Sequence, residues 1–260
     1  MPSSTAANRR EQLRRQQEAQ ARQKRTYRIV GVAAAVLALV LIGVFVAVLV
    51  QTRGGTGGTT GQAVTPPNAN ADGTAIVVNS TPAPEGAPVV TLYLDYQCPN
   101  CRTFEDTFGD MLEESANAGD WTLQNSTMVF MDQNLSNTAS TRAAIGAACS
   151  AVSGHYNEYH RNVYANQALS EVRGSEGFSD ALLRDELPAQ VGITGDDLTA
   201  FQACYDNRST SGFVAAVDKA AYAAGVTGTP TLAVNGEVLD LSKLTNPTPE
   251  GLREYILANA

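Results

Sequence analysis

Two cysteines with two residues between them, Cys98 and Cys101, stand where an apolar segment gives way to a helical one. Val89 to Leu94 reads as a buried strand. Phe104, Phe108, Met111 and Leu112 then recur on one face of a helix expected from Arg102 to Ala118. Pro99 falls at the first helical position, where its missing N–H is no loss. Cys98 is therefore expected at a helix N-terminus, where unpaired N–H groups and the macrodipole favour an anion and lower a thiol's pKa. A second thiol one turn further on is placed to attack a mixed disulfide formed at the first. Asn100, between them, can donate a hydrogen bond to a thiolate but carries no charge. Asp95, three residues before Cys98, either accepts the proton of Cys101 or simply ends the strand. The chemistry these residues fit is thiol–disulfide exchange.

A C-x-x-C is also half of a zinc site, but zinc needs about four ligands, usually from a second paired motif. The other cysteines, Cys149 and Cys204, lie far apart in sequence, and His155 and His160 sit in a tyrosine-rich polar helix. We assign those histidines a surface or hydrogen-bonded structural place, expect no metal and no cofactor, and keep copper transfer by Cys98 and Cys101 as an alternative. Four cysteines allow about three pairings. The short C-x-x-C loop favours Cys98 with Cys101, which leaves Cys149 with Cys204 as a structural disulfide.

The elements that must hold this site follow from periodicity and turn signals. Ala75 to Val78 reads as a short strand, Val89 to Tyr96 as the central one, and Trp121 to Met131 as a third. From about Thr138 to Ala224 the pattern is almost wholly helical and alanine-rich, with breaks at Gly154, Gly174 to Gly177 and Gly192 to Gly195. Thr231 to Val234 and Glu237 to Asp240 flank Asn235-Gly236, a strong hairpin signal. Thr248-Pro249 opens a last helix with Leu252, Tyr255 and Ile256 on one face. Strands on both sides of a helical block imply one α/β domain, residues 75–260, carrying an insertion at about 138–224.

Upstream, Ile29 to Val50 is 22 residues without a charge, against the roughly 20 needed to cross a hydrocarbon core. Residues 1–28 carry eight Lys and Arg against two acids, and Arg53 is the sole nearby cation beyond the apolar run. The positive-inside rule then puts residues 1–28 in the cytoplasm and residues 51–260 outside. The run is longer than a signal peptide's apolar core and no small-x-small site follows closely, so we read an uncleaved transmembrane helix. Residues 51–74, rich in Gly, Thr and Pro, read as a tether. The expected location is the cell membrane, single-pass. With ten basic and 24 acidic side chains beyond residue 28, the exterior part is a poor partner for nucleic acid, whose phosphates require Lys and Arg.

The run Tyr93-Leu94-Asp95-Tyr96-Gln97-Cys98-Pro99-Asn100-Cys101, together with Gly225-Val226-Thr227-Gly228-Thr229-Pro230-Thr231-Leu232, resembles the DsbA-like branch of the thioredoxin superfamily. The resemblance covers residues 75–260. It implies a thioredoxin fold with a helical insertion, Cys98 as nucleophile, Cys101 as resolving thiol, and a cis proline at Pro230. A cis bond there would bare the backbone of Thr229 to an extended substrate polypeptide. The resemblance also implies reduced exported proteins as substrates and a membrane-embedded reoxidant as partner. Asn100 replaces the histidine of the family's most oxidising members, and Thr229 replaces the valine of the archetypal oxidase. An isomerase or reductase kept reduced is thus the competing reading, with a redox-dependent binding module as a third.

Overall fold

The computed structural model describes residues 63–260. The basic tail expected at 1–28, the transmembrane helix expected at 29–50 and the tether as far as 62 lie outside the described residues. Among residues 63–260 no helix is long and apolar enough to cross a membrane.

Five strands form one sheet: β1 (Ile76–Val77), β2 (Val89–Leu94), β3 (Thr122–Thr127), β4 (Thr231–Val234) and β5 (Glu237–Val238), in the order β1-β3-β2-β4-β5. β2 lies at the centre, parallel to β3 and antiparallel to β4. Its alternation is that of a strand between two layers. Val90, Leu92 and Leu94 are buried in the main core, while Tyr93 points to a second cluster with Met128, Ala221 and Val226. Each fully buried leucine contributes about 2 kcal/mol or more by leaving water, which fixes the register of the strand leading to the cysteines. Asn235 and Gly236, at φ 50° and 86°, turn β4 into β5. Both central residues of this hairpin turn are left-handed, as a type I′ turn requires.

After β2 come α1 (Pro99–Phe104), one π-helical turn (Glu105–Gly109) and α2 (Asp110–Ala118), a single helix bulged at its middle where a continuous one was expected. Gly109 closes the bulge, with the Glu105 carboxylate lying over it. β3 stops at Thr127, earlier than expected, and everything from there to β4 is helix or loop. The helices are α3 (Met131–Leu135), α4 (Ala139–Val152), α5 (Tyr156–Ala165), a second π-helical turn (Leu182–Glu186) that runs into α6 (Leu187–Gln190), α7 (Gly195–Asp206) and α8 (Ser211–Ala223). The expected breaks at Gly154, Gly174, Gly177, Gly192 and Gly195 all have positive φ, which glycine adopts without steric penalty. α4 is the axis of the insertion: its alanines are buried almost throughout, and Gly146 leaves room for the hydroxyl of Tyr159, which donates to Leu183 O at 2.7 Å. α9 (Pro249–Ala258) closes the chain, capped by Thr248, whose hydroxyl accepts from Gly251 N.

The folded unit reaches further back than the expected start at Ala75. Val64 N donates to Ser209 O, Asn68 bonds Val77 through both side chain and carbonyl, and Ala69 bridges Ile76. Residues 64–74 therefore belong to the domain and not to a free tether. Composition alone could not show this, because the segment is held by hydrogen bonds of its main chain and of the Asn68 and Asn70 side chains, which leave no apolar pattern.

Candidate active site

β2 delivers the chain into a tight turn in which Cys98 N donates to Asp95 O at 3.0 Å. Cys98 itself is extended (φ −77°, ψ 117°) and caps α1, with Pro99 in the first turn. Its carbonyl accepts from the N–H groups of Cys101 and Arg102, at 3.1 and 3.2 Å. That first turn brings the two sulfurs together, so the Cys101 thiol hydrogen-bonds Cys98. Both cysteines are free thiols and both are buried, Cys98 at 6 % and Cys101 at 1 % exposure.

Across from them, the Thr229–Pro230 bond is cis, and Thr229 O lies 3.4 Å from Cys98 Sγ. The Thr229 hydroxyl, buried and without a conventional partner, sits beside both sulfurs and favours their ionised forms. The two thiols are driven apart in acidity. The hydrogen bond from Cys101, aided by Thr229 and by the main-chain N–H groups of Cys101 and Asn100, brings Cys98 down to about 6. Burial, together with that same bond, pushes the Cys101 thiol up. One cysteine is thus a thiolate at neutral pH and the other a poor one, as an ordered two-step exchange needs.

Asp95 stands directly after β2 and also lies under the site, fully buried. Its Oδ1 accepts from Gln97 N at 2.9 Å and from Ser140 Oγ at 2.5 Å, and its Oδ2 from Met131 N at 3.0 Å. Burial outweighs these bonds and raises its carboxyl from 3.8 to about 7. Asp95, Cys98, Pro99, Asn100, Cys101, Thr229 and Pro230 therefore converge, with Pro99 and Asn100 exposed at the rim. Cys149 on α4 and Cys204 on α7 lie away from this cluster and are disulfide-bonded to each other. His160 is buried, its Nδ1 at 2.9 Å from the Tyr96 hydroxyl and its Nε2 at 3.2 Å from Glu105 Oε1, while His155 is half-buried. Among the described residues no group of three or more His, Cys, Asp or Glu side chains could hold a metal.

Sequence reasoning missed Gln97, Asp132 and Ser140, which form one buried polar network with Asp95. Asp132 accepts from Ser140 N and Thr141 N at 2.7 and 3.0 Å, so it caps α4 from a distance, whereas the adjacent Thr138 makes no side-chain cap bond. Gln97 stood inside the cysteine motif without a role. The signals for the other two were an acid just before a helix start and a serine in its first turn, neither of which points at Asp95.

Residues 80–258 match the family described as thioredoxin. The chain belongs to the thioredoxin family. No curated protein sequence matches it. Among solved structures, DsbA from Mycobacterium tuberculosis is 25 % identical with a TM-score of 0.55, over 70 % of this chain and 92 % of that one. The MdbA thiol-disulfide oxidoreductase from Corynebacterium diphtheriae is 17 % identical with a TM-score of 0.58, over 76 % of this chain and 96 % of that one. BdbD from Bacillus subtilis, 18 % identical with a TM-score of 0.55, covers 75 % and 97 %. These neighbours share the mixed α/β fold with its helical insertion, so the thioredoxin-like architecture expected from the two motifs is the one found.

Proposed function

We infer that this thioredoxin-family chain is a thiol-disulfide oxidoreductase that introduces disulfides into exported proteins, held at the membrane by residues 29–50 with its domain outside the cytoplasm. One observation carries the reading: two free thiols stand one turn apart at the N-terminus of α1, Cys98 facing the cis Thr229–Pro230 bond, an arrangement that lowers the pKa of Cys98 and raises that of Cys101. In the oxidised enzyme a substrate thiolate attacks Cys98 Sγ. The Cys98–Cys101 bond breaks, a substrate–Cys98 bond forms, and Cys101 leaves with the electron pair. A second substrate thiolate then attacks the substrate sulfur and expels Cys98. Cys98 leaves readily because its thiolate is the stabilised form. The products are an oxidised substrate and a dithiol enzyme, which a membrane-embedded reoxidant returns to the disulfide. Thr229 and Pro230 lie opposite Cys98, where an extended substrate segment can pair with the main chain. The MdbA neighbours from Corynebacterium diphtheriae and Actinomyces oris are thiol-disulfide oxidoreductases, which supports this reading.

The test is oxidation of a reduced, unfolded protein by the oxidised chain, followed as loss of free thiols. Cys98→Ala should abolish it, and undiminished turnover by that variant would end the proposal. Protease accessibility of the domain in intact cells and spheroplasts tests the location separately.

A further inference from the structure

The cavity walled in part by Gln97, next to the cysteines, holds about 30 Å³, whereas one on the insertion holds about 160 Å³. Arg142 and Ile145 of α4, Tyr205 and Asp206 at the end of α7, Asp180 and Arg208 line the larger one. Most of its charges are already matched. Arg142 is buried and donates to Asp180 Oδ1 at 2.9 Å, Glu176 O at 2.8 Å and Thr138 Oγ1 at 3.3 Å. Asp180 Oδ1 also accepts from the Tyr205 hydroxyl at 2.7 Å. Asp206 accepts from Arg184 with both oxygens, at 2.7 and 2.8 Å. The exposed Arg208 side chain makes no hydrogen bond or ion pair to a described residue.

The Arg208 backbone is as unusual as its side chain, with φ at 50°. Arg208 N donates to Tyr205 O at 3.0 Å and Ser209 N to Cys204 O at 2.9 Å. That pattern closes a helix on a left-handed residue, ordinarily glycine, and α2 does end so, on Gly119 at φ 90°. A β-carbon costs free energy in this conformation and is retained where the side chain has another part to play. The Arg208 charge is felt across the cavity: the Asp180 carboxyl is held below its ordinary value by the Tyr205 hydroxyl first, then by Arg142 and Arg208.

We propose that this cavity binds a carboxylate, with Arg208 as its counter-ion, spare N–H groups of Arg142 beside it and a short aliphatic body against Ile145. A guanidinium carries more donors than the acceptors around Arg142 use, and its planar fork suits a carboxylate. One unmatched positive charge calls for one negative charge. A phosphate would set a second against Asp180. Ile145, 1 % exposed, gives an aliphatic body a dry surface to cover. The site shares no residue with the cysteine cluster, so the inference goes beyond the exchange chemistry and does not depend on it.

The test watches the cavity wall. The full chain, with carbon-13 isoleucine methyls and in an uncharged detergent, is titrated with propionate at constant ionic strength, Ile145→Val identifying the resonance. Propionate should move the Ile145 methyl saturably, with a dissociation constant in the millimolar range that a ligand of a few atoms can reach. Propionamide, uncharged and of the same shape, should not. Arg208→Gly suits the left-handed backbone and so keeps the fold, yet should weaken propionate by about tenfold or more, as loss of a charge-assisted bond implies. A shift that never saturates, or one that propionamide or Arg208→Gly reproduces, overturns the proposal. Two blocked peptides then identify the source of the carboxylate, one with a free C-terminus and one with only a glutamate side chain. Tighter binding of either than of propionate assigns the site to that group of a polypeptide, and weaker binding of both assigns it to a free short-chain acid. No turnover enters the titration, so its outcome is separate from that of the proposed function.

Discussion

Replacing Asp95 with asparagine should change how stability depends on pH more than it changes stability itself. The Asp95 carboxyl is raised by burial from 3.8 to about 7. In that interval the folded chain holds a proton that the unfolded chain has released. Stability from this group is therefore complete below about pH 4, falls as pH rises, and is lost above about 7. The interval spans about three pH units, equivalent to about 4 kcal/mol at about 1.4 kcal/mol per unit. Asp95 is 0 % exposed, so solvent does little to screen the effect. Asparagine keeps an acceptor for Gln97 N and Ser140 Oγ, but its amide would face the Met131 N–H, donor against donor. That conflict costs about 1–3 kcal/mol and does not vary with pH. The clean quantity is therefore the difference between the two proteins across pH. Urea unfolding of the oxidised chains at pH 4, 6 and 8 measures it. Oxidation removes the thiols from the titration, and no thiol is among the causes that raise Asp95. The Asp95→Asn chain should gain about 4 kcal/mol on wild type between pH 4 and 8. Curves that stay parallel to within about 1 kcal/mol would refute the argument that burial dominates this carboxyl.

Alkylation of the reduced chain should show Cys98 reacting with a midpoint near pH 6, with Cys101 silent through neutrality; mass spectrometry after brief iodoacetamide treatment reads both. Replacing Cys149 and Cys204 by alanine opens a cross-link spanning 55 residues and should cost about 4 kcal/mol of stability on the chain-entropy estimate, seen in urea unfolding. Exchange at Cys98 should persist in that variant, since the pair lies outside the active-site cluster; loss of exchange in a folded protein would contradict this. Asn100→His should lower Cys98 further below its ordinary value, because a cation beside a thiolate adds to the dipole of α1. Equilibration with glutathione should then give a potential more positive by about 30 mV per pH unit gained, and an unchanged or more reducing value would show that Asp95 or Thr229 sets the poise instead.

The sequence by itself determined everything that local chemistry can carry. An apolar run broken by Cys98-Pro99 fixes a strand ending at a helix N-terminus, because proline is tolerated in the first turn and a thiolate is favoured there. Asn235-Gly236 fixes the hairpin and Thr248-Pro249 the start of the last helix, since both rest on backbone angles and caps within a few residues. The glycine breaks of the insertion were legible for the same reason. The π-helical bulge at Glu105–Gly109 was not, because one extra residue in a turn leaves the apolar periodicity of the helix readable as continuous. Nor was the docking of residues 64–74, held by main-chain and asparagine side-chain bonds to partners as distant as Ser209. Whether Asp95 ends the strand or serves the site could not be read from its spacing; the tertiary structure puts it directly after β2, buried, with its carboxyl bonded to Gln97, Met131 and Ser140. Gln97, Asp132 and Ser140 became site residues only when α3 and α4 packed against the start of α1. A buried polar network is decided by which donors and acceptors the fold brings within hydrogen-bond reach, and over separations of 35 to 45 residues no local pattern records that.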